Sequence, residues 1–386
     1  MISWEREEIF NSGDVFFARL LAEISEAQWS VYLEMYIFEL DPFGQRVLET
    51  LKQVAARGVE VRVMVDGVGS PAWSRNLLKE LAESKIDARI YRPYPWVRMG
   101  FRIFPRLLSY RRLSLWFQLL NRRNHRKVCI LDQKIAWAGS FNISACHLRE
   151  FFRENAWRDT AVRVEGSEVA NLVLVFEKSW RRAWSPFRKR QWFRKRDPFR
   201  REAFNKPNAL VRLNFTQFLR RHYYRELLQR IRSARKRVWI ISAYFNPARS
   251  LVRALRAAAW SGIDVRILLP RKSDVRSVRW ISFIILGGLL RAGVRIFEYL
   301  PSILHTKIIF INHWATIGSS NLNRRSLHHD LEVDIVVQKE ETLEVLENQF
   351  LRDLDFSEEI TFEKWKNRFW LERFLGRMFF FLRYWM

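Results

Sequence analysis

Apolar residues recur along this chain with two alternating periods. From Gly13 to about Ala27 they fall at Val15, Phe16, Leu20, Ile24 and Ala27, the spacing of an amphipathic helix. Val31 to Phe38 is nearly continuous and reads as a buried strand. Asp41-Pro42-Phe43-Gly44 reads as a turn. Gln45 to Arg57 returns to the helical period and stops at Gly58. Val59 to Asp66 is a second strand, Gly67 to Pro71 a turn, Arg75 to Ser84 a helix and Asp87 to Tyr91 a third strand. Strands alternating with helices predict an α/β fold, with a mixed, mostly parallel sheet flanked by helices.

The same order then returns. Gln217 to Ala234 is helical and Arg237 to Phe245 a strand. Ser250 to Trp260 is a helix stopped by Gly262, and Asp264 to Pro270 a strand. Ile281 to Ala292 is a helix stopped by Gly293, and Val294 to Tyr299 a strand. This predicts a duplicated α/β unit whose two pseudo-symmetric halves face each other. The expected boundaries are an N-terminal half over 1–180 with an insert at 94–123, a linker at 181–206, a C-terminal half over 207–352 and a tail at 353–386.

Charge sharpens this picture. The chain has 386 residues, a formal net charge of +26 and a pI near 10.7, which predicts an anionic partner. Seventeen Trp among the arginines favour a lipid headgroup region over nucleic acid. The insert carries Arg98, Arg102, Arg106, Arg111, Arg112, Arg122 and Arg123 among aromatic and aliphatic residues, with no acid. The linker, the apolar helix around 280–290 and the tail share this basic, aromatic character. No apolar run reaches the ~20 residues that span a bilayer, and no leader is visible, so contact with an anionic phospholipid surface is expected to be peripheral. Two cysteines, Cys129 and Cys146, imply neither a disulfide framework nor a thiolate zinc site. His328-His329-Asp330 lacks helical ligand spacing and reads as a surface turn.

The chemistry rests on a motif that occurs twice. His125-Arg126-Lys127 leads an apolar run that closes at Asp132, and Gly139-Ser140-Phe141-Asn142 follows. His305-Thr306-Lys307 and Gly318-Ser319-Ser320-Asn321 repeat it, with the two histidines 180 positions apart. On a strand, residues two apart share a face. Two facing copies supply Lys127, Lys307, Asn142 and Asn321 for the oxygens of a phosphodiester, with one histidine to attack phosphorus and the other to protonate the departing alcohol. The fixed cations serve where other phosphodiesterases use metal, so no cofactor is expected.

HxK-x4-D followed by GSxN resembles the motif of the phospholipase D superfamily. The chain is similar to the cardiolipin synthases of that superfamily, in particular the short B type without N-terminal membrane spans. The likeness runs from about residue 12 to 350 and includes Leu33 to Asp41, Ala55 to Ser70, Arg158 to Gly166 and Leu322 to Ser326. It implies a phosphatidyltransferase that condenses two phosphatidylglycerols to cardiolipin and glycerol through a phosphatidyl-histidine. It implies His125 as nucleophile, His305 as acid and then base, and Lys127, Lys307, Asn142 and Asn321 as the clamp, with Ser140 and Ser319 beside it. Asp132 completes the first motif. Asp159 and Glu332 are implied to orient the histidines across the two halves, Glu332 at His125 and Asp159 at His305. The superfamily also contains nucleases and hydrolytic phosphodiesterases, and a weakened lipid-binding homologue is a further alternative. It arises because Asn312 stands where the second motif has Asp. The implied location is the cytoplasmic face of the cell membrane.

Overall fold

A computed structural model describes residues 3–94, 122–187 and 209–367. The first half runs β1 (Arg6–Phe10), α1 (Gly13–Glu26), β2 (Ser30–Met35), α2 (Pro42–Ala56), β3 (Glu60–Asp66), α3 (Arg75–Glu83), β4 (Ile86–Tyr91), β5 (Val128–Leu131), β6 (Ile135–Gly139), α4 (Arg149–Phe152), β7 (Ala161–Glu165) and α5 (Val169–Arg182). The second runs β8 (Val211–Leu213), α6 (Gln217–Arg232), β9 (Arg237–Ser242), α7 (Arg249–Trp260), β10 (Asp264–Lys272), α8 (Arg276–Leu290), β11 (Arg295–Ile303), β12 (Lys307–Ile311), β13 (Trp314–Gly318), α9 (Arg324–His328), β14 (Val333–Val337), α10 (Glu340–Asp355), β15 (Ser357–Glu359) and α11 (Phe362–Lys366).

The sheets are ordered β1-β7-β6-β5-β2-β3-β4 and β8-β14-β13-β12-β9-β10-β11-β15. The second repeats the first strand for strand and adds β15 at its edge, so the α/β duplication read from the sequence is present. The parallel bias is not. Only β2–β3, β3–β4, β9–β10 and β10–β11 pair in parallel. The remaining pairs are antiparallel. The cause is local. β5 to β6 and β12 to β13 are joined by two or three residues, too few for a crossover, so each motif strand must turn back as a hairpin. A second correction concerns Asp41 to Gly44. Asp41 is the N-cap of α2, its Oδ1 accepting from Gly44 N at 2.7 Å, with Pro42 in the first turn. An Asp-Pro pair begins a helix as readily as a turn.

The core fixes how the halves meet. Tyr32, Val128, Ile130, Ala136 and Val162 belong to one apolar cluster with Ile240, Ile308, Ile317 and Ile335. Trp4, near the start of the chain, donates its indole N–H to Val336 O at 2.9 Å in the other half. Full burial of such side chains contributes ~1.5–3 kcal/mol each, so separating the halves would expose a continuous apolar face.

Most of the insert, the linker from 188 and the tail beyond 367 lie outside the described residues, so their expected lipid-facing role is not placed. Two parts that are described behave differently from expectation. The helix around 280–290 is core: Ile281, Leu286 and Leu289 are buried, because α8 fills the β10–β11 crossover as α3 fills β3–β4. Trp365 in the tail packs its indole on Gly287 and donates Nε1–H to Phe283 O at 2.7 Å. Among the described residues no helix is long and apolar enough to cross a membrane.

Candidate active site

The residues that lead into the two motif strands pair across to the other half. His125 N donates to Leu331 O at 2.9 Å and Leu331 N to Arg123 O at 2.8 Å, in a parallel bridge between Asn124 and Leu331. Reciprocally, His305 N donates to Arg158 O at 2.8 Å and Arg158 N to Ile303 O at 2.9 Å. Each histidine is therefore held one residue from the foreign carboxylate that follows the bridge. Glu332 Oε2 lies 3.0 Å from His125 Nδ1, and Asp159 Oδ1 lies 3.0 Å from His305 Nδ1.

These contacts fix the imidazoles. His125 Nδ1 also lies 3.1 Å from the carbonyl oxygen of Ser319. A carbonyl only accepts, so Nδ1 carries the proton and Nε2 keeps its lone pair for chemistry. The carboxylate at His305 Nδ1 assigns a proton there too. Burial, and then the cations of Lys127 and Lys307, hold His125 well below the ordinary histidine range. It is neutral near pH 7, as a nucleophile requires. Burial and Lys307 also lower His305, opposed by Asp159.

The lysines sit inside the same buried site. Lys127 Nζ donates to His125 O at 2.9 Å, and Lys307 Nζ donates to His305 O. Burial and the proximity of Lys307 bring Lys127 down to about 7, and burial brings Lys307 down to about 8. Two desolvated cations near one point form an anion site whose charge is completed by the anion itself. Asn142 and Asn321 are buried beside them, and Asn321 Oδ1 is without a hydrogen-bond partner. The serine hydroxyls point elsewhere. Ser140 donates to Thr160 O at 3.1 Å, and Ser319 donates to Glu332 Oε2 at 2.5 Å, so they brace the strands and the carboxylate.

Asp132 is not in this cluster. It stands at the far end of β5, where Oδ1 accepts from Trp29 N and Ser30 N at 2.7 and 2.8 Å and Oδ2 from Gln28 N at 3.0 Å. Asn312 does the same work in the other half, its Oδ1 accepting from Arg235 N and Lys236 N at 3.2 and 3.0 Å. Both take positive φ, 50° and 52°, which Asp and Asn tolerate. Asp132 therefore secures the loop before β2, and its placement with the catalytic groups is corrected to a turn residue. The Asp-to-Asn departure preserves that turn.

Several neighbours went unread in the sequence. The Tyr36 ring lies 4.6 Å from the His125 ring and 5.1 Å from Lys127 Nζ, and Trp157 lies 5.5 Å from His305. Tyr244, two residues past the end of β9, lies 6.2 Å from His305. His147 Nδ1 lies 3.1 Å from Asp159 Oδ2, while its Nε2 accepts from Asn142 N at 3.2 Å. Arg123 is buried against Asp66 at 3.6 Å rather than part of a lipid-facing surface. Asp330 is buried too, accepting from Arg123 N at 3.0 Å and from Arg325 Nε at 3.0 Å, so it is no surface turn.

Comparison with known proteins places this geometry in context. The family described as "Cardiolipin synthase, PLD-like domain" matches residues 20–180 and 227–354. A cardiolipin synthase of Halalkalibacterium halodurans is 31% identical over 376 residues, covering 95% of this chain and 70% of its own length. A cardiolipin synthase of Clostridium perfringens is 29% identical, covering 94% of this chain and 73% of its own. In fold, the chain resembles the phosphatidylserine synthase of Haemophilus influenzae, with a TM-score of 0.71 at 13% identity over 99% of this chain and 94% of that one. The polyphosphate kinase of Porphyromonas gingivalis is similar at a TM-score of 0.56 and 12% identity, over 91% of this chain and half of that one.

Proposed function

This chain belongs to the family of cardiolipin synthases with PLD-like domains and is a phosphatidyltransferase, and we propose that it joins two phosphatidylglycerols into cardiolipin and glycerol. The observation that carries this is the crossed arrangement: His125 on Glu332, His305 on Asp159, and both lysines buried between them.

In the first step, His125 Nε2 attacks the phosphorus of one phosphatidylglycerol. A P–N bond forms, the P–O bond to the glycerol headgroup breaks, and His305, favoured as imidazolium once the anionic phosphate offsets Lys307 and adds to Asp159, gives its Nε2 proton to the departing oxygen. The imidazole of His125 gains positive charge as it bonds to phosphorus, and Glu332 at Nδ1 stabilises that charge. Lys127, Lys307, Asn142 and Asn321 hold the non-bridging oxygens, which carry most charge in the transition state. In the second step, His305 takes the proton from a hydroxyl of a second phosphatidylglycerol. That oxygen attacks phosphorus, the P–N bond breaks and His125 returns to neutral. Asp159 supports the imidazolium that His305 becomes.

The anionic substrate and the net charge of +26 agree with attachment at an anionic bilayer surface, peripherally and on the cytoplasmic face. The test is full-length protein with phosphatidylglycerol vesicles. Cardiolipin and glycerol are expected in equal amounts, with none from His125→Ala. Phosphatidic acid alone would mean hydrolysis, and cleavage of DNA in place of lipid would overturn the reading.

A further inference from the structure

Beside the phosphate site lies a cavity of about 550 Å³ that the chemistry above does not use. Asn142 of the clamp forms part of one wall, and Trp157, whose ring lies 5.5 Å from His305, forms part of another. Ile37, next in sequence to the Tyr36 that packs on His125, also lines it. The cavity thus lies beside the reacting centre, sharing Asn142 with the clamp and Trp157 with the surroundings of the acid/base histidine. Its volume is within the ~300–1,000 Å³ common to small-molecule sites.

We propose that this cavity seats the alcohol headgroup, a polyol of the glycerol type, as it leaves in the first step and arrives in the second. This rests on the transfer reading above, in which His305 handles the alcohol oxygen both times. The lining chemistry selects the class. Ser144 donates to Glu39 Oε2 at 2.6 Å. Asp41 is engaged at both oxygens, by Gly44 N at 2.7 Å and Ala145 N at 2.6 Å. Glu39 is exposed, and its Oε1 is open to a donor from the cavity side. The cavity therefore offers an acceptor to a hydroxyl, with Asp41 tied by backbone donors and Glu39 open. A vicinal diol supplies the donors such a wall needs.

The cavity contains its own reporter. Cys146 lines it and is half-buried, whereas the only other thiol, Cys129, is 1% exposed. Full-length His125→Ala protein, which cannot turn over, would be alkylated with iodoacetamide in detergent micelles, and Cys146 modification followed by mass spectrometry. Phosphatidylglycerol is expected to slow labelling at least fivefold, while phosphatidic acid, which has the same phosphate and tails without the polyol, leaves it within twofold. Equal protection by both lipids, no protection, or equal protection by phosphatidylethanolamine would overturn the proposal. This readout needs no turnover, so it is independent of whether the wild type makes cardiolipin. In the active protein, Glu39→Gln is expected to lower the ratio of cardiolipin to phosphatidic acid about tenfold, the effect of weakening one charge-assisted hydrogen bond to the acceptor. An unchanged ratio would count against the assignment.

Discussion

Replacing Asp132 by Asn should weaken the fold and leave the chemistry intact. The Asp132 carboxylate holds three backbone N–H groups: those of Trp29 and Ser30 on Oδ1 and that of Gln28 on Oδ2. Asn keeps one carbonyl oxygen for the first two and turns an amide N–H₂ toward the third. One charge-assisted bond is lost at a partly exposed site, a loss of about 1–2 kcal/mol. Asn also tolerates the φ of 50°, so the substitution isolates charge from backbone strain, which Ala would add. Asn312 is the natural precedent, serving Arg235 N and Lys236 N with a single oxygen. The expected drop in Tm is on the order of 2–4 °C, with kcat for phosphatidyl transfer within about threefold of the wild type. Burial opposes ionisation of Asp132, but the three N–H groups outweigh it and hold the carboxyl below its ordinary value. Its stabilisation is therefore present above the unfolded-state pKa and is lost as pH falls through the folded one, and Asn should flatten that acid limb. Thermal unfolding across pH and a vesicle transfer assay read both effects. A hundredfold loss of kcat at unchanged Tm would refute the reasoning, since it would mean the carboxylate acts on His125 along the whole of β5.

The crossed carboxylates should behave in the opposite way. Asp159→Asn and Glu332→Gln are each expected to lower kcat by about 10²–10⁴, because the imidazole loses its tautomer and its counter-charge, and circular dichroism should show retained structure. Lys127 and Lys307, lowered to about 7 and about 8, must be protonated to hold phosphate. KM should therefore rise as pH passes 7 to 8, by about tenfold per unit for each lysine that must take up a proton; a flat KM between pH 7 and 9 would contradict this. Gly139→Ala would place a Cβ 2.5 Å from Ala161 Cα and from Thr160 O, both backbone atoms. Its expected cost of about 1–3 kcal/mol or more, read by denaturant unfolding, should exceed that of Gly58→Ala only through this clash, since Gly58 at φ 91° meets open space and suffers strain alone.

Element order and the repeat could be read from the chain because their signals are local. Apolar periods, Gly58, Gly262 and Gly293 at helix ends, and two HxK–GSxN segments each lie within a few residues of one another. The residue types for the chemistry were legible for the same reason. Strand direction was not, because pairing in parallel or antiparallel depends on which strands become neighbours and not on their composition. The partnership of Glu332 with His125 spans 207 positions and that of Asp159 with His305 spans 146. The family resemblance implied these pairs, but the physical cause is the reciprocal bridge at Leu331 and Arg158, which exists only once the halves share a core. Burial reassigned Arg123 and Asp330 from surface to interior, and solvent exclusion by both sheets moves Lys127 and Lys307 toward neutrality. The sequence by itself determined two half-sites and their chemistry. The tertiary structure decided that each half-site is completed by the other, because the backbone pairing that aims each histidine is made across the interface.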